Sequence, residues 1–371
     1  MADYKYALGI DLGMRNTHAY YLKDGHVKPV KIDGIDSKMP SVLYVGWSQK
    51  VYVGRKAVTK AVFNPHNMIC SSKKYIGDNK TNKTWTLNGL TFTPTDVATE
   101  IMKEVYRRFV LQVGCNKEEK VGAVITVPAY FTDIQVKETE NAGIRAGFEI
   151  ISIEPEPVMA TMAVACKDTQ SDGRTFLVVD IGGGTFDISL LKANAAAYDY
   201  QIVDVCGVHD LNEDTFIEAL LYDLKYLVSR QSELNLSSPQ AAFLNYCEYN
   251  KLMYELREVA WEIKTDLESM EVTTSFRPFL LPDYDFDVEY TQNDFNRSCQ
   301  GIHKTIFRYI NRFIENNEKL QESIDHVILI GGTQYMKNRL TRMFANVSIE
   351  DEAIVARGAA MYANVVMNSL N

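Results

Sequence analysis

Residues 7–23 recur in residues 176–192, and this repetition limits the possible folds more than any other feature of the sequence. Aligned without a gap, ALGIDLGMRNTHAYYLK and FLVVDIGGGTFDISLLK share Leu8/Leu177, Asp11/Asp180, Gly13/Gly182, Leu22/Leu191 and Lys23/Lys192. Each copy is an apolar run, an aspartate, a turn of small or polar residues and a second apolar run. That pattern reads as strand, turn and returning strand. Later in each half a further buried run stops at a breaker, Gly122–Val127 before Pro128 and His326–Ile330 before Gly331 and Gly332. A duplicated unit of this kind predicts an α/β chain with two similar lobes facing a shared cleft.

Composition narrows the class. The chain has 371 residues, 46% hydrophobic and 23% charged, which is ordinary for a globular protein and suggests two to three domains by length. A formal charge of -9 argues against a nucleic-acid partner. No apolar run reaches the roughly 18 residues of a membrane helix, and Met1–Lys5 lacks the pattern of a signal peptide. Six cysteines without a C-x-x-C pair read as reduced thiols, so the expected location is cytoplasmic, with no membrane partner. The six histidines show no metal-binding spacing.

Periodicity predicts helices from Pro94 to Gly114, over 132–146, 210–230, 238–264, 292–318 and 351–367. Residues 271–290 read as short strands broken by Pro278 and Pro282, and Asp172-Gly173 as a turn at a domain boundary. A glycine turn between strands exposes successive backbone N–H groups, which bind anions without any side chain. Gly182, Gly183, Gly184 and Thr185 form one such turn, and Gly13, Met14, Arg15 and Asn16 the other. Two facing nests would hold a polyphosphate, and Asp11 and Asp180 beside them would hold magnesium through its waters. No Walker-type loop occurs.

These residues resemble the nucleotide-binding domain of DnaK-type heat-shock chaperones, within the actin, chaperone and sugar-kinase superfold. The resemblance covers nearly the whole chain. Its most specific stretches are Ala123–Phe131 and Val179–Ile188, supported by Ile10–Gly13, Lys73–Gly77, Val327–Gly332 and Arg357–Ala360. It implies two ribonuclease-H-like lobes, each with a smaller outer subdomain, flanking a nucleotide cleft. Lobe I would span 1–171, with core 1–36 and 110–171 and outer subdomain 37–109. Lobe II would span 172–371, with core 172–209 and 291–350 and outer subdomain 210–290, its last helix packing back on lobe I.

The resemblance also implies roles. Asp11 and Asp180 look like magnesium-shell aspartates, Lys73 like the lysine that reaches the γ-phosphate, and Glu156 like the glutamate that positions the attacking water. Thr185 and Gly182 to Gly184 look like the β/γ-phosphate loop. Gly331, Gly332, Thr333, Tyr335 and Lys264 fall where the family contacts adenosine. The implied activity is slow, magnesium-dependent ATP hydrolysis, an ATPase switch with ATP or ADP and magnesium as cofactors. The implied partners are co-chaperones or exchange factors and a C-terminal peptide-binding domain in a longer parent.

Departures from the family pattern keep a second class open, a non-catalytic interaction module. Met14 and Arg15 replace two threonines of the first phosphate turn. Arg15 either binds phosphate bidentately, holds another anion, or fills the γ-phosphate site and slows turnover. Trp261, Thr265 and Glu268 replace a glutamate, an arginine and a serine of the adenosine pocket. Tyr335 replaces a second arginine and either stacks on a base or fills the core. Leu211-Asn212 replaces two glycines ahead of Glu213, Val136 replaces an arginine used in interdomain signalling, and Ala193–Ala197 replaces acidic residues. A small-molecule kinase and an actin-like filament former are the remaining, less supported readings.

Overall fold

A computed structural model describes residues 4–34, 37–62, 64–116, 119–166, 173–194, 198–208, 210–281, 284–317 and 324–370. The expected 171/172 boundary, Asp172, Pro282 and Ala195–Ala197 lie outside these residues. By packing, the chain divides into two compact units. The first comprises Met1–Gly207, Glu322–Gly331 and Ala345–Asn371, and the second Val208–Gln321 and Gly332–Phe344.

The first unit contains both copies of the repeat, each at the centre of its own sheet. One sheet runs in the order Glu149–Pro155, Lys120–Val127, Tyr4–Leu12, Asn16–Lys23, His26–Pro29. The other runs Val347–Glu350, Ile324–Gly331, Thr175–Ile181, Phe186–Asn194, Asp199–Val208. The two orders are the same. In each, the leading strand of the repeat pairs antiparallel with its partner and parallel with the later buried run. Even the register repeats, with Asp11 opposite His18 in one sheet and Asp180 opposite Asp187 in the other. Strands buried on both faces need near-continuous apolar runs, which is what Ala123–Val127 and Phe176–Val179 supply.

Helices close the sheets. Pro94–Val113 starts on a Thr93/Asp96 capping box and ends at Gly114 in the left-handed region (φ 67°), as its sequence predicts. Its buried face (Val97, Ile101, Met102, Val105, Phe109) covers the first sheet. Fully burying one such side chain contributes roughly 1.5–3 kcal/mol. Asp133–Ala146 likewise ends at Gly147 (φ 103°). Glu156–Ala165 and Ile354–Leu370 share one apolar cluster with Ala7 and Val124 of the first sheet and Phe176, Val178, Ile328 and Ile330 of the second. Glycine permits this approach. A Cβ at Gly9 would lie 2.1 Å from the Ala360 nitrogen, and one at Gly358 would lie 1.9 Å from the Met159 carbonyl oxygen.

The second unit is mainly helical, with a two-stranded sheet of Val272–Leu281 and Tyr284–Thr291. Three expected elements differ here. The stretch expected over 238–264 becomes helix at Tyr246–Asp266 only, because Asn245 forms a capping box with Glu248 and starts the helix there. The long helix expected over 292–318 is two, Gln292–Ser298 and Gln300–Asn316, meeting at Cys299, which has left the helical region (φ -96°, ψ 9°). Pro278 does not end its strand, because the register shifts between Arg277 and Leu281 and the irregularity absorbs it. Among the described residues no helix is long and apolar enough to cross a membrane.

The glycine contacts can be tested by substitution. Gly358→Val is expected to cost about 3 kcal/mol or more in urea unfolding, since backbone on both sides must move. Gly114→Ala, with strained backbone but open space around it, is expected to cost only about 1 kcal/mol.

Candidate functional site

The two repeat turns lie against each other within the first unit. At Gly13 a Cβ would meet the Asn16 carbonyl oxygen at 2.2 Å, so the turn needs glycine. The second turn closes with the Gly182 N–H donating to the Thr185 carbonyl at 3.0 Å. A Cβ at Gly183 would lie 2.3 Å from Arg15 Cβ, and one at Gly184 2.5 Å from Met14 Cε. The side chains of Met14 and Arg15 are therefore packed on the glycine turn. The Asn16 amide donates to Glu352 at 3.5 Å.

Behind the turns, carboxylates accumulate. Asp11 accepts from Thr126 Oγ1 at 3.2 Å, and Asp187 accepts from Thr185 Oγ1 at 2.7 Å. The Lys73 ammonium donates to Glu156 at 2.7 Å, with both side chains largely buried. Lys73 belongs to a short 3-10 turn, Ser72–Tyr75. Gly77 (φ 64°) seats the following chain on the Asp133–Ala146 helix, where a Cβ would meet Gln135 Cα at 2.8 Å. The Tyr75–Gly77 spacing thus anchors an otherwise ordinary surface lysine.

Burial first, and then the Glu156 charge, push Asp11 up to about 6, against the pull of Lys73 and His18. Asp180 is raised well above the usual carboxylate range by burial and by Asp187, Glu156 and Asp11. Asp187 is pushed up to about 7 by burial, opposed by its Thr185 bond and raised further by Glu156. Burial and the neighbouring Asp187 also raise the Tyr130 phenol. Several half-buried acids thus share one region with the Lys73 ammonium, which is paired to Glu156.

This donor set fits a hydrated divalent cation. Asp187 Oδ1 is buried with no hydrogen-bond partner, and the elevated acids would ionise readily beside positive charge. Among the described residues no group of three or more histidine, cysteine or acidic side chains forms a direct metal-ligand cluster. A pocket with about 310 Å³ of unfilled space, open mouth included, adjoins the cluster and is lined by Tyr130, Glu156, Asp180, Asp187 and Cys206 among others. Gly207 opens it, since a Cβ there would meet Tyr130 at 2.8 Å and Asp187 Oδ1 at 2.9 Å.

The remaining sequence candidates belong to the second unit, except Gly331. Gly331 (φ 65°) and Gly332 (φ 81°) take left-handed backbone. Thr333 caps the Gln334–Met343 helix, its Oγ1 2.9 Å from His303 Nε2. The Tyr335 ring stacks on His303 at 4.4 Å and 20°, meets Phe307 edge-on, and its hydroxyl accepts from Arg339. Burial pushes His303 down to about 4, so the imidazole is neutral there. The Lys264 ammonium, only 4% exposed, donates to Glu213 at 2.5 Å and Glu268 at 2.8 Å. Burial opposes its charge, but Glu213 and Glu268 outweigh that and raise it. Asn212 is extended (φ -163°) and caps the Glu213–Ser232 helix, so replacing glycine there costs no strain.

Sequence reasoning brought Asp11, Lys73, Glu156, Asp180 and Thr185 forward, and all five lie in the first unit. It missed Asp187, Thr126 and Tyr130. The repeat itself held the signal for Asp187, which aligns with His18 and faces Asp180 across the hairpin.

The raised acids give a pH prediction. A carboxyl whose folded pKa lies above its unfolded value contributes stability at low pH that is lost as pH rises through the folded value. Stability without magnesium is therefore expected to fall between about pH 4 and 7. Asp187→Asn is expected to recover on the order of 2 kcal/mol at pH 8 by thermal unfolding. Added magnesium is expected to raise the melting temperature of the unsubstituted chain and to raise that of Asp187→Asn less.

A family model described as "Hsp70 protein" matches residues 7–370. Over 98% of its length the chain is similar to the chaperone protein dnaK of Trieres chinensis, at 27% identity and covering 61% of that protein. It is similar over 98% also to the chaperone protein dnaK of Phaeodactylum tricornutum, at 26% identity and covering 62%. The chain spans about three fifths of the length of these curated relatives.

Proposed function

The chain belongs to the Hsp70 family, and from that premise we propose that it is a nucleotide switch that binds ATP and ADP with magnesium and hydrolyses ATP slowly. The observation that carries this reading is the half-buried group of Asp11, Glu156, Asp180 and Asp187 near the buried Lys73 ammonium, beside two glycine turns. Such a group accumulates negative charge that a hydrated divalent cation and its phosphate ligands would balance.

In this reading the N–H groups of Gly183 and Gly184 hold the β- and γ-phosphates, Gly182 closes the turn on the Thr185 carbonyl, Thr185 Oγ1 turns its proton from Asp187 to phosphate, and the turn Gly13–Asn16 holds the phosphates from the other side. Asp11 and Asp180 hold the magnesium waters. When bound, magnesium neutralises charge on the phosphate oxygens. Lys73 directs the γ-phosphoryl group and, with Glu156, aligns the attacking water. Water oxygen bonds to the γ-phosphorus as the bond to the β,γ-bridging oxygen breaks, and ADP and phosphate leave. Positioning and charge neutralisation supply most of the catalysis in such transfers. Lobes I (1–171) and II (172–371) would close on nucleotide, and this shift would be read by an attached peptide-binding domain and by co-chaperones or exchange factors.

A second reading, a family member whose nucleotide site has decayed into an interaction module, has its own support. Met14 and Arg15 pack on Gly183 and Gly184, and Lys264 is tied to Glu213 and Glu268. Isothermal calorimetry separates the readings. Saturable heat with both magnesium-ATP and magnesium-ADP supports the switch, and none at millimolar nucleotide selects the module.

Two substitutions probe the chemistry. Lys73→Ala is expected to slow single-turnover hydrolysis about 100-fold or more while nucleotide affinity changes less than about fivefold. Met14→Thr with Arg15→Thr is expected to raise kcat/KM for ATP about tenfold, by freeing the surface of the glycine turn.

A further inference from the structure

We propose that residues 37–95 carry a docking face for an acidic polypeptide segment with an aromatic anchor. The charge distribution is the first ground. In a chain of net charge -9, this stretch holds nine lysines and arginines and one carboxylate, Asp78. Its formal charge is +8, and the remaining residues together carry -17.

Packing concentrates this charge beside exposed aromatic surface. The hairpin Leu43–Val45 and Val51–Val53 carries Trp47 and Lys50 at its tip, and Trp47 is 81% exposed. The helix Arg55–Ala61 packs beside the hairpin and presents exposed Lys56 and Lys60 one turn apart. Lys50 Nζ lies 5.4 Å and Lys60 Nζ 4.6 Å from the centre of the same Tyr52 ring. Two ammonium groups at one ring repel each other. Ion pairs of this stretch among the described residues include those of Lys38 with Glu352, Arg55 with Asp33 and Lys73 with Glu156. Among the described residues Lys50, Lys56 and Lys60 form none.

The tip is also braced. Gln49, in left-handed backbone, donates to the Asn88 carbonyl at 3.1 Å, and the Asn88 amide donates to the Val45 carbonyl at 2.9 Å. A second hairpin, Trp85–Leu87 and Leu90–Phe92, thus holds the first in place. An exposed tryptophan on a braced turn, in a hairpin whose Tyr52 ring carries Lys50 and Lys60, is preorganised for a partner with one apolar anchor and several carboxylates.

The same features favour a polypeptide over other polyanions. A bilayer or a duplex would extend across a molecule whose other residues carry -17, whereas a short segment would meet only the basic face. Single-stranded nucleic acid stacks successive bases on successive rings. Here the Tyr52 ring already carries two lysines, which leaves Trp47 as the open platform of this hairpin.

The test uses the full chain and a fluorescein-labelled decapeptide of glutamates with one central phenylalanine, followed by anisotropy. A Kd below about 100 µM at 50 mM salt is expected, weakening about tenfold or more at 300 mM salt. Lys50→Glu with Lys60→Glu should weaken it about tenfold or more, and Trp47→Ala about fivefold or more. Lys103→Glu, on the Pro94–Val113 helix, should leave it unchanged. Lys50→Gln with Lys60→Gln repeats the test without charge reversal should the first pair fail to fold. The proposal is overturned by no binding below 1 mM, or by equal binding of the glutamine counterpart. Tighter binding of phosphatidylserine vesicles or oligouridine also overturns it, as does self-association of the chain that these substitutions abolish.

Discussion

Charge removed from water has to be compensated where it lies, and in the first unit the compensation is incomplete. Asp11, Glu156, Asp180 and Asp187 share one half-buried region, and among the described residues Glu156 is the one of them that is salt-bridged, to Lys73. Protonation relieves the imbalance at low pH, and a cation would relieve it at neutral pH. The surrounding architecture keeps these acids in place. Two strands end one residue past Asp11 and Asp180, at Leu12 and Ile181, glycine turns follow at once, and helices close over the sheets through contacts that exclude any Cβ at Gly9 or Gly358. The acids do not drive folding.

The departures from the family pattern turn inward rather than outward. Glu268 brings a second carboxylate to Lys264, which Glu213 already holds, so this buried ammonium is satisfied by its own unit. Tyr335 has one face on His303. Met14 and Arg15 lie against the glycine turn. Each of these side chains is engaged by the protein itself. A buried polar group is stable only when partnered. This pattern is why the decayed-site reading stands beside the catalytic one.

Much of the fold was legible in local patterns. Thr93, Asp96 and Gly114 delimit their helix through hydrogen bonds and backbone freedom that act over a few residues. The repeat predicted two similar α/β lobes, and the structure places its two copies in two sheets of the same strand order and register. Where several boundaries were compatible with periodicity, caps and kinks decided them. Asn245 started its helix later than the apolar pattern suggests, and Cys299 divided a continuous pattern in two. In the site, alternation shows which residues share a strand face, but not which faces converge. Asp187, Thr126 and Tyr130 therefore stayed hidden, although Asp180 beside them did not.

By itself the sequence determined what short-range physics encodes: buried parallel strands, capped helices, glycine turns able to bind anions, and a strongly basic stretch in an acidic chain. Only tertiary structure decided which charges became buried together and which side chains met across the turns. It drew the Lys73–Glu156 pair from 83 residues apart and tied Lys264 to Glu213 across 51. It also placed Lys50 and Lys60 at one tyrosine ring. Electrostatics depends on distance and burial, and neither can be read along a chain until its packing brings distant residues together.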